Sequence, residues 1–309
     1  MSPSSPPAPA PPAPPPAPAP ASSPWLNLAL GPTLQCLEAA SLGMPFEVWK
    51  TRMARFRGES TITAFQNIYR EGGVSAFWAG TGAKMVESAT KGGVLLVSKE
   101  AILNACQNAG LSPTFSGIIA GAGGGVAQTS VMGPTTFLVT AAVTSKDKSV
   151  TTTKRIVDTW QSRGLAGFYP GGLAIAFRQA SNWASRQGFT EAVRAQVRAA
   201  KHPDNSKLTR LEELQCGIVG GVLSSWNHPF EVARVEAQAR AAAGEPALGF
   251  VGVVRHVVHT NGVSGLFAGI LPRIGLNIWQ TLFMVTLAKV IKQELIGGED
   301  GSNSSTKKS

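Results

Sequence analysis

Two short signatures recur three times in phase along the chain, and no other feature narrows its fold as far. The first is a proline late in an apolar run, at Pro45, Pro134 and Pro229, spaced by 89 and 95 residues. The second is a glycine, four residues, an aromatic, one further residue and a closing glycine. It reads GVSAFWAG from Gly73, GLAGFYPG from Gly164 and GVSGLFAG from Gly262, spaced by 91 and 98 residues. Self-similarity at a fixed period marks a chain built from repeated supersecondary units. Between the two signatures lie STITAFQNIYR, SVTTTKRIVDTW and FVGVVRHVVHT, with apolar residues at amphipathic-helix spacing. Each unit therefore reads as a long helix, a short amphipathic helix and a second long helix. Three units predict a six-helix bundle with pseudo-threefold symmetry.

The solvent of that bundle follows from where charge is missing. No Asp, Glu, Lys, Arg or His occurs from Ala101 to Ser145, a gap that a chain with 15% charged residues rarely leaves in water. Inside it Gly117, Gly121 and Gly125 form a small-residue stripe, repeated by Gly217 and Gly221, that lets helix backbones approach in lipid. Other spans, such as GGLAIAFRQASNWASRQGF, carry arginine and can cross a bilayer only with a polar face turned to water or protein. Basic residues divide too evenly between the two sides to orient the chain. Residues 1–24, nearly all Pro, Ala and Ser, predict a solvated polyproline-like tail, and 297–309 a polar one. Neither an Arg-rich amphipathic presequence nor a secretory signal is legible at the N-terminus.

A proline in a helix removes a backbone hydrogen bond and kinks the chain, so Pro45, Pro134 and Pro229 are expected to be helix kinks that draw three helices together at one end. The residues that follow resemble the repeat motif of the mitochondrial carrier family: proline, any residue, acid, two residues, base, any residue, base, followed by the glycine box. The resemblance runs over residues 25–296 and divides them into repeats 25–110, 111–204 and 205–296. It implies an all-α membrane protein of six transmembrane helices, each repeat with a short matrix-side amphipathic helix, in the mitochondrial inner membrane. The first repeat matches fully (Pro45, Glu47, Lys50, Arg52), and the third has Glu236 at the last base. The second departs furthest, with Thr136 at the acid and Val139 at the base. The box is weakened too, with Gly72, Arg163 and Asn261 at its acidic position, although Glu71 sits one residue early. In the family each acid pairs with the base of the next repeat to close a matrix gate. The gate here is then Glu47, Lys50, Thr136, Glu231 and Arg234, with Glu47 facing Val139, Thr136 facing Arg234, and Glu231 facing Lys50 as the one surviving ion pair.

Charges at membrane depth are functional candidates. Lys84, Lys91, Arg178, Arg186 and Arg273 all fall in even-numbered helices. Helical spacing puts Glu87, Lys91 and Leu95 on one face, Arg178, Asn182 and Arg186 on another, and Arg273 with Asn277 on a third. Three arginines and a lysine converging on one cavity suit a di- or tricarboxylate, whose oxygens the guanidinium fork matches in pairs. VESATKGGVLL, RQASNWASR and PRIGLNIWQTLF are similar to segments of the fungal citrate and 2-oxoglutarate carriers and their tricarboxylate-carrying relatives. That likeness implies contact sites at Glu87, Lys91 and Leu95, at Arg178 and Gln179, and at Arg273. It implies antiport of citrate or cis-aconitate against 2-oxoglutarate or malate. Membrane lipid, cardiolipin included, is an expected partner, and the protein is expected to be a monomer.

Other chemistries find little support. Cys36, Cys106 and Cys216 have no partner at metal or redox spacing and read as small buried residues. His256 and His259 lack a third ligand, so no metal or cofactor is expected. GAGGG lacks the preceding strand and following Lys-Ser/Thr of a phosphate-binding loop. The net charge of +10 forms no basic stripe interleaved with aromatics, which argues against nucleic acid. No catalytic constellation stands out, which leaves a membrane receptor or scaffold of the same fold as the alternative to a transporter.

Overall fold

A computed structural model of the chain describes residues 32–145, 150–201 and 208–284; the expected tails at 1–24 and 297–309 lie outside the described residues. Six rods are present among the described residues. The first is helix α1 over 32–38, a π-helical stretch Ala39–Gly43, and α2 (Met44–Arg55). A short α3 (Thr61–Gly72) leads to the second rod, α4 (Thr81–Asn108). The third is α5 (Pro113–Ala127) with α6 (Thr129–Thr144), followed by short α7 (Thr152–Arg163) and the fourth rod α8 (Gly172–Lys201). The fifth is α9 (Arg210–Leu223), a 3-10 turn Ser224–Asn227 and α10 (His228–Ala242). Short α11 (Phe250–Asn261) precedes α12 over 270–284, which closes the ring: its Gly275 packs on Phe46 of the first rod and its Asn277 bonds to α9.

The bundle is turned inside out relative to a water-soluble one. Glu47, Lys50, Glu87, Glu231, Arg234 and Arg273 are buried, whereas Leu96, Val97, Phe115, Leu173, Trp226 and Leu271 are exposed. An apolar exterior around a charged interior suits lipid outside and a polar path inside. Among the described residues no single helix is long and apolar enough to cross a membrane by itself. The bent pair Phe115–Ala127 and Thr129–Thr144, 41° apart, meets the length and composition of a span when taken together. Interrupted rods with charged faces are the reason.

Local chemistry explains the boundaries of the short helices and of α9. Ser60, Thr151 and the Thr209–Glu212 capping box accept or return the first free N–H groups of α3, α7 and α9. The first glycines of the boxes, Gly73, Gly164 and Gly262, stop α3, α7 and α11 at φ 63°, 60° and 70°, where any other residue is strained. The closing glycines do something different. A Cβ on Gly80 would lie 3.0 Å from Val139 Cα, one on Gly171 3.3 Å from Arg234 O, and one on Gly269 2.8 Å from Lys50 O. Each sits against the residue at the basic position of the next repeat's proline motif, so the second signature is the seat on which the next first signature rests. That contact accounts for the parallel spacing of the two.

The breaks precede the prolines rather than falling on them, which corrects the expected kinks at Pro45, Pro134 and Pro229. Ser41 is the non-helical residue of the first rod, the α5–α6 bend falls at Gln128, and the fifth rod breaks at Ser224–Asn227. The proline ring clashes with the carbonyl one turn earlier, so the distortion is passed back toward the N-terminus. Two of the freed carbonyls are taken by box aromatics: Trp78 Nε1 donates to Ala40 O at 2.7 Å, and the Tyr169 hydroxyl donates to Ser130 O at 2.8 Å. Phe267 cannot donate, and there His228 Nε2 joins Ala268 O at 2.8 Å. Tyr169→Phe leaves Ser130 O without its partner and is expected to cost about 1 kcal/mol, a fall in Tm of roughly 2–4 °C. Thermal unfolding of the detergent-solubilised protein measures it, and an unchanged Tm would remove the cap from the account.

Packing follows the glycine stripes in part: Cβ atoms on Gly217 and Gly221 would meet Thr281 and Asn277 of α12. Among the described residues nothing approaches Gly117 or Gly121, whereas Cβ atoms on Gly123, Gly124 and Gly125 would meet Ile102, Leu95 and Trp183. The close approach is made by three consecutive glycines where α5 passes α4 and α8, because two helices on different sides need different faces of the same turn. An apolar cluster seals each seam between repeats near the proline ends. The largest, with Val48, Phe77, Phe137 and Phe168, joins the first and second; Ala54, Val235 and Val257 join the third to the first; Ala174, Ala233 and Val253 join the second to the third.

Candidate functional site

Below the breaks, α2, α6 and α10 bring their charged turns together. Lys50 Nζ lies 2.9 Å from Glu47 Oε1 and 2.7 Å from Glu231 Oε1. Arg234 binds Glu231 at 2.7 Å within its own helix and stands 4.0 Å from Glu47. Lys50, Glu231 and Arg234 are each less than 5% exposed, so the bundle is shut at this level. The expected partner of Glu47 was Val139, which is occupied by Gly80; Glu47 finds Lys50, Lys84 (3.9 Å) and Arg234 instead. Thr136 reaches Arg234 through Gln238, whose Nε2 donates to Thr136 Oγ1 at 2.9 Å while its Oε1 accepts from Arg234 at 2.6 Å. Gln238, buried and one turn after Arg234, replaces the ion pair that Thr136 cannot make. Nothing in the motif pointed to it.

One layer further out, toward α11 and the end of α2, the inverted residue Glu236 finds a use. Its buried carboxylate takes Arg55 at 2.7 Å and Arg57 at 2.6 Å, both from the first repeat. An acid where the family pattern has a base is thus met by two extra bases where that pattern has none. In the first repeat Arg52 binds Glu59 at 2.7 Å and Glu71 at 2.6 Å, so Glu71 occupies the role left by Gly72. The Arg52 guanidinium holds the Glu59 carboxyl below the usual carboxylate range.

Above the shut layer is a cavity of about 180 Å³, lined by Lys84, Glu87, Lys91, Gln128, Arg178, Gln179, Asn182, Arg186, Arg273 and Asn277. It adjoins a wider one of about 600 Å³ toward the ends of α1, α8 and α12, which shares Lys91, Asn182 and Arg186. The two form a funnel closed at the proline end. Arg273 bonds to Asn227 Oδ1 and, at 3.3 Å, to His228 Nδ1; no carboxylate stands within ion-pair distance among the described residues. Arg178 has its Nε 3.1 Å from Glu231 Oε2, a charge contact without hydrogen-bond geometry. Lys91 lies 3.9 Å from Glu87, whereas Lys84 holds Glu87 at 2.9 Å. Arg186 donates to Thr281 Oγ1 at 3.2 Å. Cations therefore outnumber acids around the space.

Not every residue named from the sequence faces that space with free groups. Leu95 packs on Gly124 of α5 and is outside the lining; the helical twist over two turns carries it past the cavity edge. Asn277 spends its amide donor on Gly221 O (3.0 Å) and Ser225 Oγ (3.1 Å), tying α12 to α9. Gln179 donates to Gln128 Oε1 at 2.8 Å. Gln128 went unremarked in the sequence, yet it organises this wall: it also accepts from Trp183 Nε1 at 3.0 Å and donates to Lys91 O at 2.9 Å. Its one sequence signal was a lone amide at the end of the glycine run, six residues before Pro134.

Comparison with known proteins bears on the same architecture. A family model described as mitochondrial carrier protein matches residues 21–109, 111–200 and 206–299. The "Citrate/oxoglutarate carrier protein" of Saccharomyces cerevisiae is 35% identical over 281 residues, 86% of this chain and 89% of that one. The "Mitochondrial citrate transporter B" of Aspergillus niger is 26% identical over 266 residues, 81% and 87% of the two chains. The "Mitochondrial tricarboxylate transporter 1" of Mycosarcoma maydis is 25% identical over 275 residues, 81% and 88%.

Proposed function

The chain belongs to the mitochondrial carrier family, a multi-pass transporter family of the inner membrane, and on that premise we propose that it exchanges a tricarboxylate such as citrate or cis-aconitate for a di- or tricarboxylate such as 2-oxoglutarate or malate. The observation that carries the reading is Arg273, a buried guanidinium with no carboxylate at ion-pair distance among the described residues, on one cavity with Arg178 and Lys91. A buried cation left without an anion is costly, and a substrate carboxylate supplies one. A protein retired to scaffolding has no use for such a group, which speaks against the receptor alternative.

Glu231 links binding to opening. It holds Lys50 and Arg234 in the shut layer and touches Arg178 at the cavity floor. A substrate that draws Arg178 upward takes one cation from Glu231 and loosens the layer beneath, after which the funnel can open on the other side. Alternating access thus needs no element beyond those already in contact. The test is uptake of labelled citrate and cis-aconitate into liposomes holding the purified protein, preloaded with citrate, 2-oxoglutarate, malate or buffer. Uptake is expected only with an internal carboxylate; equal uptake into empty vesicles would end the exchange reading, and none from folded protein would end the substrate assignment.

A further inference from the structure

Glu38 lies on α1 just before the π-helical break, and the transport reading leaves it without a task. It is 6% exposed, and its Oε1 has no hydrogen-bond partner. The charged groups that face it are Lys84 and Lys91 of α4 and Glu47 of α2, none within ion-pair distance among the described residues, with the Gln280 amide of α12 on the remaining side. Its setting is tight: a Cβ on Gly43 would come 2.5 Å from Oε1, and Ser41 Oγ donates to Glu38 O at 2.7 Å across the break. The same residue lines the wide mouth of the funnel, so water has a path to it.

A buried carboxylate without a bonded cation is stabilised either by an approaching positive charge or by a proton. The funnel's charge shows which suits the cycle. Seven cations line the inner cavity, facing Glu47 and Glu87 there, Glu231 beneath it and Glu38 above. That leaves three net positive charges with Glu38 ionised and four with it protonated. A trianion in the protonated funnel and a dianion in the ionised one leave the same residual charge of one. Low-dielectric surroundings penalise any difference in charge between the two crossings.

Resting on the tricarboxylate–dicarboxylate reading above, we propose that Glu38 is the proton-carrying residue of the exchange. It takes one proton from water on the side where the trianion enters and returns it to water on the side where the trianion leaves. It crosses back ionised with the dianion. Each direction then moves two net negative charges, and the exchange is electroneutral. The place of Glu38 beside the π-helical break puts the protonation change at the point where the first rod bends, a common location for function.

Full-length protein in liposomes, with citrate as the trianion, 2-oxoglutarate as the dianion, an entrapped pH dye and a potassium–valinomycin clamp, tests this. One proton per citrate is expected to enter with the wild type, at a rate indifferent to the clamped potential. Glu38→Gln, shown folded by a citrate-induced rise in Tm, is expected to move no proton and to become potential-dependent. Glu38→Asp keeps the proton and shifts the pH at half-maximal heteroexchange. Proton entry that persists in Glu38→Gln, a wild type that moves none, or an unshifted pH profile in Glu38→Asp would each overturn the assignment. Loss of citrate exchange from the wild type itself would instead remove the substrate reading, and this inference with it.

Discussion

Lys50→Ala is expected to reduce exchange about 100-fold and to lower thermal stability together. Lys50 is bonded at under 3 Å to carboxylates of two repeats within the shut layer, Glu47 and Glu231. Without it two buried acids face each other, Glu47 keeping only contacts of 3.9 and 4.0 Å to Lys84 and Arg234. Breaking a buried pair in this way costs about 3–5 kcal/mol, enough to depopulate the shut state. Lys50→Arg keeps the charge and is expected to retain part of the rate. Initial uptake rates in proteoliposomes, with unfolding temperatures of the same preparations, decide it. Wild-type transport in the alanine variant would show that the Glu47–Lys50–Glu231 cluster is not the barrier of the transport path.

Arg273→Ala is expected to act in the opposite manner, with a large effect on substrate and a small one on the fold. The residue has no carboxylate within ion-pair distance among the described residues; its loss frees Asn227 Oδ1 and His228 Nδ1. Charge-assisted hydrogen bonds to a carboxylate contribute about 1.5–3 kcal/mol, so uptake at low citrate should fall about 10- to 100-fold, chiefly through KM. Arg273→Lys restores charge but not the paired donors and should recover little. Uptake against citrate concentration for the three proteins gives the answer. An unchanged KM in the alanine variant would place the binding site elsewhere in the funnel.

The periodic signatures carried the architecture because they are local. A glycine at positive φ must end a helix, and a proline must disturb the turn before it, whatever the neighbours are; three copies in phase then imply three like units. The five even-helix cations were legible for the same reason, since charge at membrane depth stands out against apolar sequence. The partners of those charges were not legible. Glu47 was expected to face Val139 and instead shares Lys50, Lys84 and Arg234, and Glu236 looked like a defect until Arg55 and Arg57 were found against it.

The sequence by itself determined the three repeats, the six rods with their short linking helices, and the presence of five cations in the even-numbered helices. Only the tertiary structure decided which acid meets which base, that Gln128 and Gln238 organise the walls, that Leu95 turns away, and that Glu38 is left facing the funnel without a bonded cation. The physical reason is range. Backbone constraints act within a turn and are written in neighbouring residues. A side-chain pair such as Arg57 with Glu236 joins positions 179 residues apart, and its reach depends on helix breaks and glycine seats that exist only once the ring has closed.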